Sequence, residues 1–319
     1  MNKFKGKNIL VTGGTGFIGS HLVENLVNSG ANVVTTFQTN YPKSYFKLRD
    51  LDKKITMVNS DICDFEKIFN IVTKFNIECI FHLAAQSLID VSFNNPKQTL
   101  KTNILGTVNI LETARLLRQI KAVIVASSDK AYGKLKKKRY LETDSLKGDH
   151  PYEVSKSAAD LICFSYFKTY NIPVVVNRCG NIYGEGDLNF SRIIPGIMMS
   201  LIKNTELNIR SNGKFIRDYI YVKDIVNGYL LTAQNIDKVR GEVFNLGSNE
   251  TLSVIDLIKL AEKILRSNIR FKILNTAKNE IPYQTLDYTK IKKHLNWKPI
   301  YSIMKTLPDI LNWYKNFLH

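Results

Sequence analysis

The chain has 319 residues, is 44% hydrophobic and 23% charged, and carries a formal net charge of +17. That length and balance suit one large or two moderate globular domains with a sizeable core, and no apolar run reaches the roughly 18 to 20 residues that span a bilayer. The basic residues are mainly lysines spread along the chain, so the charge does not single out nucleic acid; the densest run, Lys134 to Arg139, reads as a solvated loop able to concentrate an anionic substrate.

The first residues run straight into a strand pattern without an apolar signal region, so a cytoplasmic protein is expected. Cys63, Cys79, Cys163 and Cys179 are scattered, with no C-x-x-C pair to suggest a zinc site or a redox dithiol, and read as reduced core residues. No metal site is expected. Residues Asn8 to Thr12 form a short apolar strand, followed by Gly13, Thr15, Gly16, Phe17, Ile18 and Gly19 and then an amphipathic helix to about Asn28. Strand, glycine-rich turn and helix in that order can seat a pyrophosphate on the helix N-terminus, the glycines allowing a tight turn and close backbone approach.

A second strand, Asn32 to Phe37, ends in Thr36-Phe37-Gln38. An acid there would hold the adenosine ribose of NAD, and an Arg would accommodate a 2′-phosphate. Neither is present, so NAD and NADP both stay open. Strands at Ile55 to Val58, Cys79 to Leu83 and Val123 to Ala126 alternate with helices at Asp64 to Phe75 and Pro96 to Arg118. The succession predicts an α/β fold with a Rossmann-type doubly wound parallel sheet. In such a sheet Asp61 and Ile62 would flank the adenine, and Leu83, Ala84 and Ala85 would approach the cofactor with small side chains.

The apolar strand from Val123 ends in Ser128-Asp129-Lys130, and Tyr152 and Lys156 follow on a predicted helix. Four residues make about one helical turn, so phenol and ammonium share a face. An ammonium beside a phenol favours the phenolate, which would make Tyr152 a general base near neutral pH, with Ser128 bonding the same reacting oxygen.

TGGTGFIG, HLAAQ (His82 to Gln86), TNILGTVNILE (Thr102 to Glu112), SSDKAYG and PYEVSK resemble the extended short-chain dehydrogenase/reductase family, and within it the nucleotide-sugar epimerases and dehydratases. The likeness continues through RCGNIYG (Arg178 to Gly184), RDYIYVKD (Arg217 to Asp224), FNLGS (Phe244 to Ser248) and LNWKP (Leu295 to Pro299). It implies NAD(P) held tightly and used catalytically, and a nucleotide diphosphate sugar as substrate. Tyr152 would deprotonate the carbon 4 hydroxyl as hydride passes to the nicotinamide, and Lys156 would hold the nicotinamide ribose. Asn181 and Arg217 would grip the diphosphate, with Gln86 and Arg192 as further substrate contacts. Asn103 would order the active-site backbone.

Asp129 and Lys130 separate the subfamilies. A 4-epimerase removes and returns one hydride and needs no further acid or base. A 4,6-dehydratase must also take the carbon 5 proton and protonate the departing carbon 6 hydroxyl. Many dTDP-glucose dehydratases carry Asp-Glu at this place; the Asp-Lys pair is similar to CDP-glucose 4,6-dehydratases and some UDP-N-acetylglucosamine dehydratases. The reading is therefore a nucleotide-sugar 4,6-dehydratase with Asp129 as acid and Lys130 as base, the latter made partly neutral by burial and by Lys156. A 4-epimerase or reductase on the same substrates is the alternative. A non-catalytic NAD(P) sensor would leave the intact Ser128, Tyr152 and Lys156 without a task.

Residues 1–177 are expected to form the cofactor domain, and 178–319 a smaller C-terminal α/β substrate domain that returns in places to the first sheet. Phe190 to Ile202, Ser253 to Leu265 and Thr285 to Trp297 read as helices, with Met198 and Met199 in the core and the Trp297-Lys298-Pro299 turn as structural packing. The resemblance also implies a homodimer built on the helices Pro96 to Arg118 and Tyr152 to Tyr170. No membrane or nucleic-acid partner is expected.

Overall fold

A computed structural model describes residues 3–39, 41–276 and 281–318. Seven parallel strands, β1 (Asn8–Thr12), β2 (Asn32–Phe37), β3 (Thr56–Asn59), β4 (Cys79–His82), β5 (Ala122–Ser128), β6 (Val174–Cys179) and β7 (Val243–Leu246), form one sheet in the order β7-β6-β5-β4-β1-β2-β3. Side chains alternate across the sheet, so Ile9, Val11, Phe81 and Ile124 enter one core layer while Leu10, Ile80, Val123 and Val125 enter the other. Both faces are covered, which is why these strands read as continuous apolar runs. The strand order reverses between β1 and β4, and a crevice at the carboxyl ends of the strands is expected there.

A second, five-stranded sheet is assembled from separate parts of the chain: Arg139–Tyr140, Asn181–Tyr183, Ile216–Tyr221, Thr251–Ser253 and Tyr283–Leu286. Its core is a third apolar cluster in which Ile194, Met198, Leu257, Ile258, Leu307 and Ile310 pack together from three helices. One of these, Val254–Leu265, opens on a capping box made by Ser253 and Asp256. Trp297 is buried and donates its indole N–H to the Asp224 carbonyl at 3.2 Å. Among the described residues no helix is long and apolar enough to cross a membrane.

Three helix boundaries differ from the sequence expectation. Pro96 to Arg118 is broken into Pro96–Leu100, a π-helical turn over Lys101–Leu105, and Gly106–Leu116. The helix expected from Phe190 begins only at Ile193, after Arg192. The helix expected over Thr285 to Trp297 is a strand, Tyr283–Leu286, followed by a short helix, Thr289–Leu295. Thr285 and Leu286 pair with Arg139 and Tyr140, and sheet pairing overrides a local helical pattern.

Arg178 on β6 lies buried with its Nε 2.5 Å from Asp160 Oδ2 on the helix Pro151–Tyr170. Its guanidinium stacks 4.6 Å over the Tyr132 ring, and the Tyr132 hydroxyl donates to Asn245 Oδ1 on β7 at 2.7 Å. The turn after β5 is thereby tied to two strands and a helix. Removing one member of a buried pair strands the other charge, so Asp160→Ala should lower unfolding stability by about 3–5 kcal/mol in urea titrations, and adding Arg178→Met should recover much of the loss.

Candidate active site

Strand β5 ends at Ser128, and a 3₁₀ turn, Asp129–Tyr132, follows at once. The Ser128 hydroxyl caps the turn: it donates to Asp129 Oδ1 at 2.9 Å and accepts from the Lys130 N–H at 3.2 Å. Asp129 is buried, and its Oδ2 receives the Lys130 ammonium at 3.0 Å. Lys130 therefore does pair with its neighbour. The same ammonium donates to Gln284 Oε1, while Gln284 Nε2 donates to the Asp129 carbonyl at 2.9 Å.

Tyr152 and Lys156 face this turn from the first turns of the helix Pro151–Tyr170, both buried. Burial pushes the Tyr152 phenol up to about 12, opposed by a hydrogen bond with Ser128. The sequence reading had Lys156 lowering that phenol. The Lys156 ammonium donates to the Ala126 carbonyl at 2.9 Å, and burial lowers its own pKa against the pull of Asp160. Nor does Lys156 contact Lys130, whose ammonium is taken up by Asp129 and Gln284.

Asn103 sits in the π-helical turn and acts as a clamp. It accepts from the Gln86 N–H at 2.8 Å and donates to the Gln86 carbonyl at 3.0 Å and to Ser155 Oγ at 2.8 Å. Ser155 in turn donates to the Tyr152 carbonyl at 2.7 Å. Below it, Thr12, His82 and Thr107 form a buried chain with contacts of 2.8 and 3.2 Å, and Thr12 Oγ1 also receives the Ala84 N–H at 3.2 Å. Burial drives the His82 pKa down to about 3, so this chain stays uncharged.

The glycine turn fits a dinucleotide. Gly13 has φ +72°, and a Cβ there would lie 2.9 Å from the Ala84 backbone. A Cβ on Gly19 would lie 2.1 Å from the Gly13 carbonyl oxygen. The helix Phe17–Asn28 has Gly16 as its N-cap with no side-chain cap; the Gly16 N–H closes the turn onto the Gly13 carbonyl at 3.1 Å, and Thr15, Phe17 and Ile18 can present backbone N–H groups to an anion. After β3, Asp61 accepts the Cys63 N–H at 2.9 Å, and Ile62 is packed against Gly106 with its carbonyl held by Asn109 at 2.9 Å. Leu83, Ala84 and Ala85 continue from β4 beside Gly13. No cluster of His, Cys, Asp and Glu fit to hold a metal occurs among the described residues.

Of the expected substrate residues, Asn181 and Arg217 lie on paired strands of the small sheet. Asn181 donates to the Asp218 carbonyl at 3.3 Å, and Arg217 to the Ile216 carbonyl at 2.8 Å. Arg192 pairs with the buried Asp187 at 3.1 Å and lies near enough to Tyr152 to favour its phenolate. Gln86 Oε1 accepts the Leu88 N–H at 2.9 Å.

Two residues escaped the sequence reading. Gln284 carries no motif and stands just before the stretch from Thr285 that reads as helix. Asp218, fully buried, accepts the N–H groups of Leu286 at 3.3 Å and Ser248 at 3.4 Å through Oδ2, while its Oδ1 has no partner among the described residues. Burial, then the nearby Asp129 charge, pushes it up to about 7.

A family model described as GDP-mannose 4,6 dehydratase matches residues 10–310. The chain belongs to this family. It is 32% identical to the CDP-glucose 4,6-dehydratase of Salmonella typhimurium, over 99% of this chain and 93% of the relative. The GDP-mannose 4,6 dehydratase family member also superposes on the dTDP-glucose 4,6-dehydratase of Streptomyces venezuelae solved with NAD bound, at a TM-score of 0.87 and 26% identity, covering 97% of each chain. The UDP-glucose 4-epimerase of Thermotoga maritima, solved with UDP-glucose, gives a TM-score of 0.88 at 30% identity, covering 98% of this chain and 100% of that one.

Two tests follow from the geometry. Gly19→Ala should weaken NAD binding by about ten-fold or more in calorimetry, because the turn must open to admit the methyl group. Asp218 binds its proton more tightly folded than unfolded, so its contribution is full below the ordinary 3.8 and is lost as pH rises toward about 7. Asp218→Asn, which cannot ionise, should make the fall in urea-unfolding stability across that window shallower.

Proposed function

We propose that the protein is a nucleotide-sugar 4,6-dehydratase that works with bound NAD. The observation that carries this is the hydrogen-bonded Asp129–Lys130 pair built into the same turn as Ser128 and facing Tyr152. NAD, when bound, supplies the acceptor for the carbon 4 hydride and returns that hydride to carbon 6. Tyr152 takes the carbon 4 hydroxyl proton, with Ser128 on the same oxygen and Lys156 oriented through Ala126. A neutral Lys130 amine takes the carbon 5 proton and a protonated Asp129 carboxyl delivers one to the carbon 6 hydroxyl as it leaves as water, so that the step leaves the pair as ammonium and carboxylate. With Nζ and Oδ2 only 3.0 Å apart, the proton removed and the proton supplied draw on one bonded pair. Asn181, Arg217, Arg192 and Gln86 are the residues we assign to the nucleotide diphosphate and sugar.

A 4-epimerase on the same substrates is the second reading, favoured by the likeness to the Thermotoga maritima enzyme. It would use Ser128, Tyr152 and Lys156 and leave Asp129 and Lys130 without chemistry. We further infer a cytoplasmic homodimer. Supporting this, the neighbouring helices leave Leu105, Leu116, Leu161 and Phe164 exposed, an apolar surface that a second copy would cover.

Purified protein incubated with CDP-glucose, dTDP-glucose, GDP-mannose and N-acetylated UDP sugars tests the reading by mass spectrometry. Loss of one water from one substrate is expected, and an isomer of unchanged mass would establish the epimerase instead. Lys130→Ala should keep carbon 4 oxidation and slow water loss by about a hundred-fold or more.

A further inference from the structure

Gln284 is fully buried, and its amide is used at both ends. Oε1 accepts from Lys130 Nζ, and Nε2 donates to the Asp129 carbonyl at 2.9 Å. Gln284 reaches the turn from the strand Tyr283–Leu286, more than 150 residues further along the chain. That strand is itself anchored: Leu286 donates to Asp218, and Gln284 lies in register beside Arg217. A buried amide costs free energy unless both its groups are bonded, so this side chain is held in one orientation.

Resting on the dehydratase reading, we propose that Gln284 is a positioning residue that aims Lys130 at carbon 5. A lysine nitrogen has three tetrahedral directions beyond its own carbon bond. Asp129 Oδ2 and Gln284 Oε1 occupy two of them. The third direction is then fixed, and it is where the proton is collected when the amine is neutral. With Asp129 alone as partner, Nζ could swing around a single bond and its lone pair would sweep a cone. Nε2 adds a second constraint, because it holds the backbone from which both Asp129 and Lys130 project. Among the described residues no hydrogen bond joins Gln284 directly to Tyr152, Ser128 or Lys156, so its effect on carbon 4 oxidation passes only through the turn and is the smaller one. Gln284 thus acts chiefly on the second half of the reaction.

The test is a single-turnover experiment on NAD-loaded protein with CDP-glucose, or with whichever sugar of the panel the wild type dehydrates. The absorbance of the bound cofactor rises as carbon 4 is oxidised and decays as hydride returns after water loss. Gln284→Met keeps the length of the side chain and removes both hydrogen bonds. The rise should stay within about two-fold, and the decay should slow by about ten- to a hundred-fold, the kinetic weight of one hydrogen bond to a charged group. Adding Gln284→Met to Lys130→Ala should leave the decay where Lys130→Ala alone put it, because the amide acts through the lysine.

A rise slowed in parallel with the decay, or losses that multiply in the double variant, would mean that Gln284 merely supports the fold and would overturn the proposal. So would an unchanged decay. If Gln284→Met does not fold, Gln284→Glu carries the same comparison: it nearly keeps the shape, loses the donor to Asp129 and holds the Lys130 proton. A wild type that removes water from no sugar of the panel removes the dehydratase reading and this proposal with it, whereas a dehydrating wild type with an unaffected variant sinks the proposal alone.

Discussion

The buried Arg178 guanidinium fixes where the active-site turn can lie. It is held from one side by Asp160 and stacks on Tyr132 from the other. A charge in that position is tolerated only because its partners are in place, so helix, strand and turn must reach their native positions together. Tyr132 closes the 3₁₀ turn that begins at Asp129, and its hydroxyl is fastened to Asn245. The spacing between Ser128 at the strand end and Tyr152 on the helix rests on this one cation.

Around that anchor the site is built from uncharged clamps. Asn103 joins the Gln86 backbone to the turn of helix that carries Tyr152, and it can do so because the π-helical segment turns its side chain inward. The Thr12, His82 and Thr107 chain supports the floor beneath Ala84 without adding charge. The high pKa of the Tyr152 phenol belongs to the chain by itself; a cationic nicotinamide bound nearby would favour the phenolate.

Much of this was legible in sequence because it is local. Gly13, Gly16 and Gly19 announce their turn through spacing alone, and the apolar run ending in Ser128 announces a buried strand with a reactive end. Tyr152 and Lys156 follow from one helical turn. Gln284 and Asp218 were not legible, since their roles exist only after strands distant in sequence have paired. The stretch from Thr285 carries a helical pattern, and only its partners Arg139 and Tyr140 make it a strand. The Lys156 ammonium shows the same limit: four-residue spacing places two side chains on one face, but a carbonyl on β5 decides where the ammonium points.

The five strands of the small sheet come from stretches lying between residues 139 and 286, with strands of the large sheet threaded among them. Such pairings close long loops, which costs chain entropy and slows their formation. On a ribosome the large sheet would lack β7 until well over two thirds of the chain had emerged, and the turn at Asp129 would wait longer still for Gln284. A chain interrupted before residue 283 could assemble much of a dinucleotide fold and still lack the strand whose Gln284 holds the Asp129 turn.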